Sequence, residues 1–419
     1  MSKFRIISHK IPGQHIREYA QATGNTQEDI LYLSVKQYIP FSNPNPQSGD
    51  VTVIGAHANA FPKELYEPLW DDLVSRAEDQ GWRIRSIWMA DVAHQGQSGI
   101  ENEAALGNEP HWHDHSRDLL HLINLKRDEM PKPLMAVGHS MGGNQLAFLS
   151  LMHPRLMTSM ILLDPVIQET SAEIDPSKPG PPNMAQLSTF RRTLWPSREE
   201  AAASFAKSAF YKSWDARVLK KWIEHGLRDV PTPQHPDAEA PRVALTTTPA
   251  QEVFTNLRPN YEAYGVDGKP VNRSTHADID PSRSRLYPFY RNEAPYVFAR
   301  LPEVRPSVLY IFGGTSNTSS AEANEAKISR TGNGAGGSGG VAEGRVRGIT
   351  FDGVGHLIPM EASERTADAI AEWIGSEMMR VREEMRRQEE WRKKSLREKQ
   401  DIDATWQKMI RGAPKRAKM

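Results

Sequence analysis

The 419-residue chain contains no cysteine. That absence excludes disulfides, thiolate zinc sites, iron–sulfur clusters and a cysteine nucleophile, so any covalent catalysis must use another side chain. An excess of either charge is missing too: 52 Lys and Arg stand against 52 Asp and Glu. A nucleic-acid binder with a basic face over its whole body is thereby excluded. No apolar run approaches the roughly 20 residues of a membrane-spanning helix. The opening, MSKFRIISHK, alternates polar and apolar residues where a signal peptide would be continuously apolar. With 38% apolar residues and a mean hydropathy of −0.60, the sequence predicts a soluble, non-secreted protein with no nucleic-acid or membrane partner.

What is present is a repeating strand–helix rhythm over a length that allows a sizeable core. Alternating runs at 4–11 and 30–39 read as strands, and 51–55 as a buried one. Leu65, Leu69 and Leu73 have helical spacing, ending at Gly81. A strand at 83–89, a helix at 114–124, a strand at 134–137, a helix from Met141 and a strand at 157–163 follow. Such alternation predicts an α/β fold with a mostly parallel central sheet flanked by helices. The rhythm stops after Asp164 and returns at 308–312 and 345–351. The predicted organisation is a sheet core in two parts, 1–165 and 307–379, with a lid or cap insertion at 166–306 after the sixth strand. A charged C-terminal helix and tail occupy 380–419.

Gly138-His139-Ser140-Met141-Gly142 lies between a short apolar strand and a helix, the setting of a nucleophile elbow. The serine must sit on a sharp turn, and the close approach of strand and helix requires small residues two positions before and after it. Gly138 and Gly142 supply them. The helix N-terminus places the Met141 N–H where an oxyanion forms. A serine needs a base, and His356, in the loop after the last strand, has the right place in the Ser–acid–His order. The loop after 308–312 offers no carboxylate, so the acid is Asp164, which ends the preceding strand 24 residues beyond Ser140; Asp352 is its rival. The second oxyanion donor is the N–H of Ala58 or of Asn59, in the loop after the third strand.

These motifs identify an α/β-hydrolase. More narrowly the chain resembles the fungal peroxisomal acyl-CoA hydrolases of secondary metabolism. The segments carrying the resemblance are 14–19 (QHIREY), 62–69 (PKELYEPL), 87–93 (IWMADVA), the Ser140 elbow, 162–165 (LLDP), 275–278 (THAD), 336–340 (GGSGG) and 355–357 (GHL). The resemblance implies hydrolysis of an acyl-CoA thioester of a bulky acid through an acyl-enzyme on Ser140, with no cofactor and with the acid after the sixth strand. Ala58 departs from the usual Gly of the oxyanion loop. A carboxylesterase, lactonase or acyltransferase would use the same triad, and a non-catalytic hydrolase-fold binding protein is the alternative of a different class.

Other features carry less. His111-Trp112-His113-Asp114-His115 has histidines without metal-ligand spacing, and Asp114 reads as a helix cap, so no metal is expected. Phe190, Trp195, Phe205, Phe210, Tyr211, Trp214 and Trp222 of the insertion read mostly as internal packing. The glycines of 332–340 read as a flexible loop rather than a phosphate cradle. Ala417-Lys418-Met419 fits a peroxisomal address, implying the import receptor as a partner and the peroxisomal matrix as location. Ile374, Met378, Val381 and Met385 form one helical stripe, expected to pack on the body. Ile402, Trp406, Met409 and Ile410 form a second, which points to a homodimer through the C-terminal helix.

Overall fold

The computed structural model describes residues 2–170, 183–261, 263, 272–279, 288–318 and 320–410. The strands of its main sheet are β1 (Phe4–Pro12), β2 (Tyr32–Pro40), β3 (Val51–Ala56), β4 (Ile84–Ala90), β5 (Leu134–His139), β6 (Ser159–Leu163), β7 (Ser307–Gly313) and β8 (Val346–Phe351). They lie side by side in the order 1-2-4-3-5-6-7-8. β2 runs antiparallel to β1 and β4, and every other pairing is parallel. This is the α/β-hydrolase fold.

Burial follows from the topology. A parallel sheet needs crossover helices on both faces, so its central strands carry apolar residues on both sides. Every residue of β3, β5, β6 and β7 is buried. The helices that matter for the site are α1 (Glu67–Asp79), α2 (Trp112–Leu125) and α3 (Met141–Met152). All of α3 except Met152 is buried, because it passes against the middle of the sheet. Parallel strands deliver their C-terminal ends to one edge, and the loops after β3, β5, β6, β7 and β8 collect there.

Residues between β6 and β7 form a three-stranded antiparallel sheet (Leu194–Trp195, Val243–Leu245, Leu227–Asp229) and several helices. Among these is α4 (Pro249–Asn256), which begins with a capping box from Thr248 and Gln251. The Pro-rich stretch 175–182 lies outside the described residues. Trp195, Phe205, Trp214 and Trp222 are buried, Phe210 and Phe190 exposed. Phe205, Tyr211, Trp214 and Trp222 pack ring to ring, and Trp214 and Trp222 also meet Phe61, next to the loop 57–60.

The glycine-rich loop corrects an expectation. It is not a free loop: the N–H groups of Gly332, Gly334 and Ser338 donate to the carbonyls of Leu301, Pro302 and Val304. It also precedes β8, at the sheet edge opposite the site, and its bonded amides offer no cradle.

The chain divides into two compact units, Met1–Gly375 and Ser376–Met419. The helix α5 (Ala321–Arg330) and the start of α6 (Ser363–Lys393) belong to the first. There Ile370, Ala371, Trp373 and Ile374 are buried, and the Trp373 indole donates to Ser159 Oγ at 2.8 Å. In the second unit Met378 and Val381 are buried and Met385 is exposed. The short helices α7 (Leu396–Gln400) and α8 (Ala404–Met409) have no buried residue, and Ile402, Trp406, Met409 and Ile410 are 61–77% exposed. No helix among the described residues is long and apolar enough to cross a membrane.

Candidate active site

β5 ends at His139, and Ser140 turns into α3 with φ +56° and ψ −115°. That conformation costs energy in a non-glycine residue and persists only where the surroundings enforce it. Two glycines permit it. A Cβ on Gly138 would lie 2.7 Å from the Gly142 carbonyl oxygen, and one on Gly142 would lie 2.2 Å from the Ala56 carbonyl oxygen. The Ser140 N–H donates to the Leu163 carbonyl at 2.9 Å, which ties the turn to β6. Among the described residues, Ile16, Ala60, Ser140 and Asp164 are the non-glycines with positive φ; the last three are all at this edge of the sheet.

Ser140 Oγ lies 2.8 Å from His356 Nε2. His356 Nδ1 donates to Asp164 Oδ2 at 2.6 Å. The structure therefore brings together the three residues singled out by motif and order, from the loops after β5, β6 and β8. Asp352 is exposed and takes no part. Asp164 is almost wholly buried. Burial alone would raise its pKa, but hydrogen bonds and charge from His356, with hydroxyls from Ser316 and Thr318, outweigh it and hold the carboxyl down at about 2. Ser316 Oγ donates to Asp164 Oδ2 at 2.5 Å and Thr318 Oγ1 at 2.9 Å. Both come from the loop after β7. That loop lacks a carboxylate, and its hydroxyls instead hold the carboxylate that β6 supplies. Sequence reasoning noted the missing acid and overlooked the hydroxyls; the signal was Ser316 and Thr318 themselves.

The loop after β3, expected to supply the second oxyanion donor, is held from two directions. His57 Nδ1 donates to the Ala58 carbonyl at 2.7 Å, while His57 Nε2 accepts the Val92 N–H at 2.9 Å. The Ala58 N–H donates to the Tyr66 hydroxyl at 2.9 Å. Ala58 is thus removed from the pair of expected donors, because its proton is already engaged. The Asn59 N–H has no protein acceptor among the described residues. The Asn59 side chain is fully used: its amide donates to the Glu252 carbonyl and Asn256 Oδ1 at 3.0 and 2.8 Å, and its oxygen accepts from Gln95 Nε2 at 2.6 Å. Gln95 Oε1 in turn takes the N–H of the strained Ala60 at 2.7 Å. Met141, first residue of α3, has an N–H with no intrahelical partner.

The histidine run forms the start of α2. The cap is His111, whose Nδ1 accepts the His113 N–H at 3.1 Å; Asp114, expected as the cap, instead sits in the first turn and accepts from Gln14 and Glu18. The reason is register: the helix begins at Trp112, two residues earlier than its apolar spacing suggested. His113 stacks on Phe148 with centroids 3.7 Å apart. Among the described residues no group of three metal-binding side chains converges. Residues 417–419 lie outside the described residues.

The sequence profile of the alpha/beta hydrolase family matches residues 53–369. A type I acyl-CoA thioesterase, mpaH, of Penicillium brevicompactum is 40% identical over 429 aligned positions, covering 98% of this chain and 96% of the relative. An abhydrolase domain-containing protein, AKT2, of Alternaria alternata is 32% identical over 256 positions, covering 58% of this chain and 84% of its own. Among solved structures, the peroxisomal alpha-beta-hydrolase Lpx1 of Saccharomyces cerevisiae superposes with a TM-score of 0.67 at 17% identity, covering 98% of this chain and 96% of that one. That last likeness concerns the fold.

Proposed function

The chain belongs to the alpha/beta hydrolase family, and from that premise we propose that it cleaves an acyl-CoA thioester to the free acid and CoA through Ser140, His356 and Asp164. The observation that carries the substrate class is the 40% identity, over nearly the full length of both chains, to a type I acyl-CoA thioesterase. The observation that supports the chemistry is the hydrogen-bonded run from Ser140 Oγ through His356 to Asp164.

In this mechanism Asp164 keeps the proton of His356 on Nδ1, leaving Nε2 free to accept. As Ser140 Oγ attacks the thioester carbonyl, its proton passes to His356 Nε2. The N–H groups of Met141 and Asn59 stabilise the oxyanion. The carbon–sulfur bond breaks, the CoA sulfur leaves with the proton from His356, and the acyl group stays on Ser140. Water then gives a proton to His356 and its oxygen to the acyl carbon; the bond from the acyl carbon to Ser140 Oγ breaks, Oγ takes the proton back from His356, and the acid is released.

The insertion is read as a lid over this site, and a bulky secondary-metabolite acyl group is the reading the family resemblance supports. Ala417-Lys418-Met419 is read as a peroxisomal address; residues appended after Met419 should keep a fluorescent fusion out of peroxisomes, and a fusion that still enters them rules this out. The exposed stripe Ile402, Trp406, Met409 and Ile410 is read as a contact with a second copy.

The deciding experiment is an acyl-CoA panel read by free-CoA release, beside matched oxygen esters and with Ser140→Ala as control. Thioester cleavage that disappears in Ser140→Ala is expected. Activity confined to oxygen esters would replace the thioesterase with a carboxylesterase, and no turnover or fluorophosphonate labelling would leave a binding protein.

A further inference from the structure

Two buried side chains beside the triad have no role in the mechanism above. His139 immediately precedes Ser140, and Tyr66 ends the short helical turn Lys63–Tyr66 before α1. Both are almost completely buried. His139 Nε2 lies 2.9 Å from the backbone carbonyl oxygen of His356, and His139 Nδ1 lies 2.9 Å from the Tyr66 hydroxyl. The same hydroxyl receives the Ala58 N–H at 2.9 Å.

The protons in this run have a single arrangement. A carbonyl oxygen can only accept, so His139 Nε2 must carry a proton. Burial, helped by the neighbouring His356, pushes the His139 pKa down to about 3, so the ring is neutral and has just that one proton. Nδ1 must then accept, which obliges the Tyr66 hydroxyl to donate to it. The hydroxyl oxygen is left to accept, and the Ala58 N–H fills that place. With the ring neutral, any other arrangement sets two donors or two acceptors face to face.

We propose that Tyr66 and His139 are positioning residues of the active site. Their relay fixes the oxyanion loop and the backbone of the base to the strand that carries the nucleophile. It rests on the serine-hydrolase reading above. Three segments meet in it: 57–60, whose next free N–H is that of Asn59; 139–140, the nucleophile turn; and 355–357, the base loop. The Tyr66 hydroxyl takes the Ala58 N–H out of use and so fixes the peptide plane from which Asn59 follows. A group that acts only by filling space would depend on the aromatic ring of Tyr66. A relay depends on its oxygen.

The test uses the purified full chain and a fluorophosphonate probe, whose reaction with Ser140 needs the nucleophile, the base and the oxyanion hole but no particular substrate. Tyr66→Phe keeps the ring and removes the oxygen. It should lower the labelling rate constant ~10- to 100-fold, below the full cost of losing an oxyanion donor. Thioester kcat should fall by the same factor with KM nearly unchanged. The His139 pair supplies an independent arm: His139→Gln, whose amide can still donate to the His356 carbonyl, should retain more labelling than His139→Leu. Wild-type labelling in Tyr66→Phe, or equal losses in His139→Gln and His139→Leu, overturns the relay. Labelled wild-type protein that frees no CoA from any acyl-CoA overturns the substrate reading alone. Unlabelled wild type overturns both.

Discussion

The carboxylate of Asp164 accepts from His356, Ser316 and Thr318 on one oxygen, so its value to the base is orientation as well as charge. Asp164→Asn should lower kcat by ~10⁴, the cost of presenting the wrong histidine tautomer, measured as CoA release. Ser316→Ala and Thr318→Ala each leave two of these three contacts and should cost ~10-fold or less, within the worth of one hydrogen bond to a charged group. A second residue near this carboxylate makes a different prediction. Lys327, on α5, is buried, with Asn324 Oδ1 at 3.3 Å and the Phe312 ring at 5.4 Å from its nitrogen. Burial lowers its pKa from the ordinary 10.5 to about 8, against the pull of Asp164. Between those values the unfolded chain holds a proton the folded chain has lost, so stability rises with pH across that window and is lost again as pH falls through 8. Lys327→Met should therefore stabilise the protein by on the order of 1–3 kcal/mol at pH 7, and the gain should shrink well below that by about pH 10. Denaturant melts at the two pH values check this; an equal gain at both would trace it to packing alone. At this scale the sequence displayed Ser140, Asp164 and His356 because a motif and a chain order constrain them. Ser316, Tyr66 and His139 had no such mark, since a hydrogen bond across 73 or 152 positions leaves no spacing to read.

Among elements, the loop 57–60 and helix α4 are joined by the Asn59 side chain. Its two bonds to Glu252 and Asn256 mean that the backbone N–H of an oxyanion-loop residue is held by the insertion as well as by the core. If this N–H serves the transition state, loosening it should lower kcat with KM little changed. Asn256→Ala removes one of the two bonds and should reduce kcat ~5-fold, from a hydrogen-bond loss of about 1 kcal/mol. Steady-state kinetics checks it, and a rise in KM at unchanged kcat would assign α4 to substrate binding instead. The elements themselves differed in how plainly the sequence showed them. β3 to β7 are legible because a strand flanked by crossover helices imposes length and apolar content on consecutive residues, and β1 and β2 because their residues alternate. The insertion's strands are two or three residues long and have no period to detect. The glycine loop read as flexible because composition reports freedom of φ and ψ. It says nothing of the carbonyls of Leu301, Pro302 and Val304 that the amides meet.

At the scale of the molecule, zero net charge is an average of unlike parts. From Arg380 onward the chain has 14 basic and 7 acidic residues, leaving 38 and 45 before it, so a body of −7 is joined to a tail of +7. Two forces could therefore bring copies together: attraction between a tail and another copy's body, or burial of the stripe Ile402, Trp406, Met409 and Ile410. Salt separates them. Exposed ion pairs such as Arg386–Glu383 and Arg387–Glu383 contribute little and are screened. At about 1 M salt the screening length is near 3 Å and attraction between tail and body is lost. Apolar burial persists under the same conditions. A chain ended after Lys394 lacks the stripe and retains the whole of Met1–Gly375. The expected result by light scattering is a dimer for the full chain at both ~0.1 and ~1 M salt, and a monomer for the shortened one. Turnover per chain should be unchanged, because Ser140, Asp164 and His356 all lie within Met1–Gly375. A dimer that dissociates in salt would move the contact from the stripe to the charges, and a full-length monomer would end the dimer reading.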